Sequence, residues 1–387
     1  MVPLMADRPL VVLCHDPLPS PDTSTEQVAR TVWALGHRMA AIDLVLPAPS
    51  GTAEEIARFY GLAGEVRPPT LVKLGPRFRG GALRHALHDV RGPLWALARR
   101  RHALLYTRDL LALSWALATG APVVLETFRY DLNTLARFAP WRRLCYRRRN
   151  FRGVVAHSEM AAASFVAAGI PEHRVLVAHN GFAPESMLPV LDRDAARQAT
   201  GLPREVPIAL YSGHLGARKG TEVFLELAER LPAVSFVLVG GVAGAPESEA
   251  LAAAARQRRL GNLLLVDRVP PACVPPYLYA ADILLIPPTA RPLTEHRRTV
   301  LPMKTFLYLA AGRPIVAPDL PDLREVLETG RNAVLVPPDD PEAAAAAIAR
   351  LLGEGAAARR LAENAQADAK RFTWTARAGK ISRFLEQ

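Results

Sequence analysis

Short apolar runs alternate with segments of helical periodicity along most of the chain, and this alternation restricts the fold more than any other feature. The runs LVVLC (10–14), IDLVLP (42–47) and PVVLE (122–126) are each followed by Pro, Gly or polar residues, which is typical of buried strands. Amphipathic stretches such as VARTVWALG separate them. The order strand, helix, strand, helix predicts a parallel sheet with helices on both faces.

The alternation occurs in both halves of the chain, so two domains are expected. A chain of 387 residues also exceeds what one hydrophobic core usually holds. We predict an α/β fold with two Rossmann-like, doubly wound parallel-sheet domains at 1–180 and 206–370. A Pro-rich linker at 181–205 is expected to join them, and 371–387 to pack back on the first domain. In such folds ligands bind at the carboxyl ends of the strands, so both sheets should face a central cleft.

A glycine-rich turn, YSGHLGARKG (211–220), stands between an apolar run and the helical stretch TEVFLELAER. A helix that starts after such a turn has backbone N–H groups free to bind an anion. Arg218 and Lys219 lie beside them. The local pattern alone leaves two readings open, a phosphate site and an ordinary connection with solvated basic residues.

The spacing of the cysteines and the first residues of the chain indicate in which cellular compartment the protein is expected. Cys14, Cys145 and Cys273 are widely spaced, which argues against a disulfide framework and a structural zinc site. The first residues lack the pattern of a signal peptide, and no apolar run reaches the roughly 18 residues that span a bilayer. These features lead us to expect a cytoplasmic protein.

Positive charge is concentrated in the first half of the chain. Residues 1–185 carry 23 Lys or Arg against 15 Asp or Glu, an excess of eight out of the total of +11. Basic clusters occur at Arg99–Arg101 and at Arg142–Arg152, the second interleaved with aromatic residues. An anionic membrane surface is the partner that this pattern suggests, which would make the protein peripheral on the membrane. A merely solvated face is the alternative, and no nucleic-acid-binding motif is present.

Five segments in a fixed order identify a family. They are HNGF (179–182), YSGHLGARKG (211–220), FVLVGG (236–241), VDRVPPACVPPYLYAADILLIP (266–287) and the stretch from LPMKTFLYLAAG to PEAAAAAI (301–348). Together they resemble the GT-B glycosyltransferases of family 4. The resemblance implies a nucleotide-diphosphate sugar bound by the second domain and a saccharide or lipid-linked acceptor bound by the first. It also implies retention of anomeric configuration, with no cofactor and no metal ion.

The resemblance assigns residues to the donor site. The diphosphate-binding positions are Gly213, His214, Arg218 and Lys219. The nucleoside- and sugar-binding positions are Arg268, Val269, Pro270, Thr299, Lys304 and Leu307. The positions in the cleft loops of the first domain are Asp22, Thr23, Ser24, Phe128 and Arg129. Basic side chains there would stabilise the charge that builds up on a departing diphosphate. The catalytic residue stays open, with Glu126, Lys219 and Lys304 as candidates.

Several of these positions depart from the family pattern. His214 replaces an arginine, Thr299 and Leu307 replace two glutamates, and Phe128 replaces a histidine. Asp22 to Ser24 stand where relatives have a glycine pair. The departures at His214, Thr299, Leu307 and Phe128 support an alternative, a GT-B protein that binds a nucleotide sugar or a partner without turnover. An NAD-binding enzyme has only the weak cluster VGGVAG (239–244) in its favour.

Overall fold

The chain forms two compact units in the computed structural model, which describes residues 8–62, 67–75, 81–131, 138–216, 219–294 and 301–387. The first unit comprises Met1–Asn180 together with Trp374–Gln387. The second comprises Gly181–Thr373. Because the last helix belongs to the first unit, the chain passes from the first unit to the second and returns.

The first unit contains a seven-stranded sheet in the order β3-β2-β1-β4-β5-β6-β7, with every pair parallel. Its strands are β1 Leu10–Leu13, β2 Ile42–Pro47, β3 Thr70–Leu74, β4 Leu104–Thr107, β5 Val123–Thr127, β6 Phe151–Ala156 and β7 Val175–Val177. Its helices are α1 Thr23–Gly36, α2 Ala53–Tyr60, α3 Gly81–Arg99, α4 Leu110–Ala118, α5 Ala139–Arg147, α6 Glu159–Ala167 and α16 Trp374–Leu385. The strand order reverses between β1 and β4, which makes that edge the point where a doubly wound sheet binds ligands.

The second unit contains a six-stranded parallel sheet in the order β10-β9-β8-β11-β12-β13. Its strands are β8 Ile208–Ser212, β9 Ser235–Gly241, β10 Leu263–Asp267, β11 Ile283–Leu285, β12 Ile315–Pro318 and β13 Val334–Val336. Its helices are α7 Arg193–Thr200, α8 Val223–Arg230, α9 Pro246–Gln257, α10 Val274–Ala280, α11 Arg291–Thr294, α12 Lys304–Ala311, α13 Pro321–Arg324, α14 Pro341–Gly353 and α15 Gly355–Ala369. The order reverses between β8 and β11, so β8 lies at the switch point of this sheet.

Local sequence signals explain where several helices begin. Thr52 and Glu55 form a capping box at the start of α2. Asp340 accepts from the backbone N–H of Ala343 at the start of α14. Helix α1 begins at Thr23, and the side chain of its N-cap residue, Asp22, makes no capping hydrogen bond.

Residues 181–205, expected as a linker, lie within the second unit. Ala196 and Leu202 are part of its hydrophobic core. Arg197 is only 2% exposed, and its guanidinium lies 2.6 Å from the Asp282 carboxylate. The sequence did not predict that helix α7 is buried, because the segment is rich in Pro. Its Arg197 is buried in an ion pair with Asp282, which lies 85 positions further along the chain.

Among the helices within the described ranges, none is both long enough and apolar enough to cross a bilayer.

Candidate functional site

The turn between β8 and α8 is shaped by close backbone approaches. Gly213 has a φ of +145°, and its N–H donates to the Val239 carbonyl at 2.8 Å. A Cβ on Gly213 would lie 2.6 Å from the Nζ of Lys304, and a Cβ on Gly240 would lie 2.2 Å from the Gly213 carbonyl oxygen. At position 240 only glycine leaves room, because the obstructing atom is backbone, and at Gly213 a side chain would have to displace the Lys304 ammonium. The turn therefore brings bare backbone next to a lysine ammonium.

Lys304 supplies this ammonium from the first turn of α12. Its Nζ lies 3.7 Å from the centroid of the Tyr211 ring. Desolvation, and then the positive charge of Lys219, hold the pKa of Lys304 well below its usual value. Within the part of the chain that the structure describes, no carboxylate pairs with Lys304. A desolvated lysine ammonium that has no carboxylate partner and lies next to a glycine turn has the properties of an anion-binding site.

Two buried tyrosines support the turn, and sequence reasoning missed both. The Tyr211 hydroxyl donates to the His214 carbonyl at 2.7 Å. The Tyr308 hydroxyl accepts from the Ser212 N–H at 2.8 Å. Tyrosine at the end of a strand, directly before a glycine-rich turn, is the signal that could have drawn attention to Tyr211. His214 thus takes part in the turn through its backbone.

The remaining donor-site positions are placed as follows. Lys219 is exposed in the turn, and its N–H donates to the Gly216 carbonyl at 2.8 Å. Arg268 follows β10, and its N–H donates to the Gly241 carbonyl at 2.7 Å, which places 268–270 beside the end of β9. Leu307 packs against the hydrophobic core. Arg218 and Thr299 lie outside the described residues.

Glu126 lies inside the first unit and is 1% exposed. Its carboxylate lies 2.8 Å from His157 Nε2 and 2.6 Å from the Arg377 guanidinium, and Gln27 donates to it at 2.5 Å. Burial alone would raise the pKa of Glu126, but Arg377 and His157 bring it below the usual range. The carboxylate is therefore ionised, and it already has three side-chain partners within the first unit. This geometry fits a structural link to α16 better than a catalytic role.

The loops after β5 and before α1 present cations and aromatic surface. The guanidinium groups of Arg108 and Arg129 lie 5.5 and 5.3 Å from the centroid of the Phe128 ring. Arg108 also donates to the Ser24 carbonyl at 2.7 Å. Asp22 precedes α1, and its carboxylate accepts from the Ser20 hydroxyl at 2.9 Å. Arg108, which the motif comparison did not include, therefore joins the two loops.

A histidine–carboxylate cluster lies at the ends of β1 and β4. His15 Nδ1 is 2.8 Å from Asp109 and 3.6 Å from Asp89, and its ring stacks on His85 at 4.5 Å. Burial opposes protonation of His15, but the Asp109 and Asp89 carboxylates, which accept hydrogen bonds from the protonated ring, raise its pKa to about 10. His15, His85 and Asp16 have the atom types of a metal site. However, the two rings are nearly parallel, at 5°, so their nitrogen lone pairs do not converge on one ion.

Residues 206–354 match the family model described as Glycosyl transferases group 1. D-inositol 3-phosphate glycosyltransferase from Xylanimonas cellulosilytica is 32% identical over 187 residues, which cover 47% of this chain and 42% of that protein. Alpha-D-kanosaminyltransferase from Streptomyces kanamyceticus is 27% identical over 163 residues, covering 41% and 40%. The chain thus spans less than half the length of these relatives. The family resemblance predicted from the motifs is confirmed.

Solved structures share the fold over nearly the whole chain. Sucrose-phosphate synthase from Thermosynechococcus elongatus has a TM-score of 0.77 at 18% identity, covering 98% of both chains. Anabaena HepE in complex with UDP and glucose has a TM-score of 0.72 at 19% identity, covering 98% of this chain and 99% of that one. The predicted GT-B class, with a parallel-sheet α/β fold in each unit, is confirmed.

Proposed function

Because residues 206–354 match the family model of the group 1 glycosyl transferases, we propose that this chain is a glycosyltransferase. It takes a sugar from a nucleotide-diphosphate donor bound by the second unit and transfers it to a hydroxyl of a saccharide or lipid-linked acceptor bound by the first. The observation that carries the proposal is Lys304, an uncompensated ammonium beside the backbone of the β8–α8 turn. Relatives of this fold bind UDP and UDP-glucose, which supports such a donor.

The chemistry follows from the charge of this turn. When the donor's glycosidic bond breaks, the diphosphate leaves with the electron pair and its negative charge grows. Lys304 and Lys219 stabilise that charge because they are in place before the reaction. This arrangement needs no metal ion at the diphosphate. Retention of anomeric configuration is the outcome that the family resemblance implies, and product analysis will decide it.

Lys219→Ala is the first test of the donor site. An exposed lysine that binds a phosphate contributes about 1.5–3 kcal/mol to binding, so the dissociation constant of the preferred nucleoside diphosphate should rise roughly 10- to 100-fold. Sugar transfer should fall with it, and thermal unfolding should stay nearly unchanged. Calorimetry on the wild type and the variant measures the first effect. Equal affinities would remove Lys219 from the site.

Turnover itself distinguishes the enzyme from a binding protein. A thermal-shift screen with UDP-, GDP-, ADP- and dTDP-sugars identifies the donor, and mass spectrometry of mixtures with saccharide and lipid-linked acceptors identifies the product. A transferred sugar supports the proposal. A donor that stabilises the protein but gives neither transfer nor hydrolysis would support the alternative of binding without turnover.

An anionic membrane is the partner we propose for the first unit, and α5 is its contact surface. Trp141 and Leu144, one helical turn apart, are 40% and 60% exposed, and Arg143 and Arg147 beside them are exposed too. Arginines next to exposed apolar side chains suit the headgroup region of an acidic bilayer, at about 1 kcal/mol per basic residue. Within the Arg142–Arg152 segment, Arg142 is not part of this surface.

The structure differs from the sequence-based prediction that all the aromatic residues of Arg142–Arg152 and its flank face a membrane. Arg142 is buried and lies 2.7 Å from the Asp131 carboxylate. Tyr146 and Phe151 are buried in the core, so Trp141 is the aromatic residue of this segment that a membrane can reach. The Arg99–Arg101 cluster is exposed, although Arg100 is 2.6 Å from the Asp43 carboxylate.

Flotation with liposomes tests the membrane partner. Wild-type protein should bind vesicles of phosphatidylglycerol and phosphatidylcholine, and salt should weaken this binding. The double variant Trp141→Ser/Leu144→Ser should bind several-fold less. Phe59→Ser is the matched control, because Phe59 is also 40% exposed but lies on α2 near two glutamates. Binding that does not depend on lipid charge, or equal loss in both variants, would contradict the surface.

A further inference from the structure

Lys304 and Tyr211 form an unusual pair, since the partner of the ammonium is a ring and not a carboxylate. The ring centroid is 3.7 Å from Nζ. The electron-rich face of an aromatic ring attracts a cation without cancelling its net charge. A carboxylate in the same place would compete with any anionic ligand. The pair therefore keeps Lys304 available for an anion.

Tyr211 also controls the backbone of the turn. Its hydroxyl donates to the His214 carbonyl at 2.7 Å, while its ring faces Lys304. Gly213 lies between them, with no side chain to separate the ammonium from the turn. One buried side chain thus orients both the cation and the backbone of the anion site.

We propose that Tyr211 is a positioning residue that holds Lys304 over the β8–α8 turn, and that binding of a nucleoside diphosphate draws a proton onto Lys304. This inference rests on the donor site proposed above, and it adds which residue positions Lys304 and which residue takes up a proton when the ligand binds. Tyr211 acts through Lys304 and does not itself take part in sugar transfer.

The proton coupling follows from the surroundings of Lys304. Desolvation and the nearby Lys219 lower its pKa, and the phenols Tyr211 and Tyr308 beside it are neutral because burial raises their pKa. His214 is a further titratable group in the turn. A bound diphosphate adds negative charge and raises the pKa of Lys304 again. Between the free and the bound pKa of Lys304, binding takes up a proton, so affinity falls as pH rises through that interval.

Calorimetry in buffers of different ionisation enthalpy measures this proton directly. Wild-type protein titrated with UDP, or with whichever nucleoside diphosphate binds best, should take up a fraction of a proton that changes with pH below the ordinary lysine pKa of 10.5. The affinity should fall over the same interval. Binding with no proton uptake at any of these pH values would overturn the coupling.

Substitutions of Tyr211 test the positioning role. Tyr211→Leu removes the ring and should weaken binding on the order of tenfold, with an altered proton uptake. Tyr211→Phe keeps the ring and should stay within about threefold of wild type. Tyr279→Leu is the matched control, since Tyr279 is a buried tyrosine of the same unit whose hydroxyl donates to a carbonyl at 2.6 Å, that of Met187. Its binding should equal that of wild type.

The outcomes separate the two proposals. If no nucleoside diphosphate binds the wild type, the proposed function fails and the inference fails with it. If the wild type binds but Tyr211→Leu binds equally well, only the positioning role is overturned. Equal weakening in Tyr211→Phe and Tyr211→Leu would also overturn it, because the hydroxyl and not the ring would then matter. If Tyr211→Leu does not fold, the Phe variant and the wild-type proton uptake still decide.

Discussion

Lys304 shows how a binding residue costs stability. Burial lowers the pKa of Lys304 in the folded state. The buried charge therefore lowers the free energy of unfolding most at low pH, where Lys304 is protonated in both states. This loss of stability becomes smaller as pH rises toward 10.5, the pKa of Lys304 in the unfolded chain. Lys304→Met should therefore raise the free energy of unfolding by about 1 kcal/mol at neutral pH, and the gain should shrink as pH rises. Urea denaturation at several pH values measures it, with exposed Lys219→Met as the control. A loss of stability would contradict the uncompensated charge.

Among the elements, α16 carries a buried ion pair, between Arg377 and Glu126, in addition to its buried apolar side chains. Arg377→Met removes the guanidinium partner of the buried Glu126 carboxylate and leaves His157 and Gln27 as its side-chain partners at hydrogen-bond distance among the described residues, which should cost about 3–5 kcal/mol. The wild-type contribution is present above the unfolded pKa of Glu126, near 4.5, and is lost as pH falls below it. Thermal and acid unfolding measure both effects. Arg383→Met, an exposed arginine on the same helix, should change little; equal effects would disprove the role of the pair.

For the whole molecule, local pattern predicted the alternation of strands and helices, because each strand and helix carries its own periodicity. Local pattern also predicted the glycine turn after β8, whereas the phosphate-binding role of Lys219 came from the family resemblance and stays a prediction. Pairings between distant residues were not predictable: Tyr211 with Lys304, and Glu126 with Arg377, meet only because the sheets bring them together. The burial of Glu126 and Arg142 was missed for the same reason, since a charged residue is expected outside unless its partner is known.

The central claim is that the β8–α8 turn and Lys304 bind the diphosphate of a nucleotide sugar. Calorimetric titration of wild type and Lys304→Met with UDP, GDP, ADP and dTDP tests it most directly. At least one of these should bind the wild type, and the variant, although more stable, should bind it roughly 10- to 100-fold more weakly. No binding to the wild type, or equal affinity in the variant, would contradict the claim.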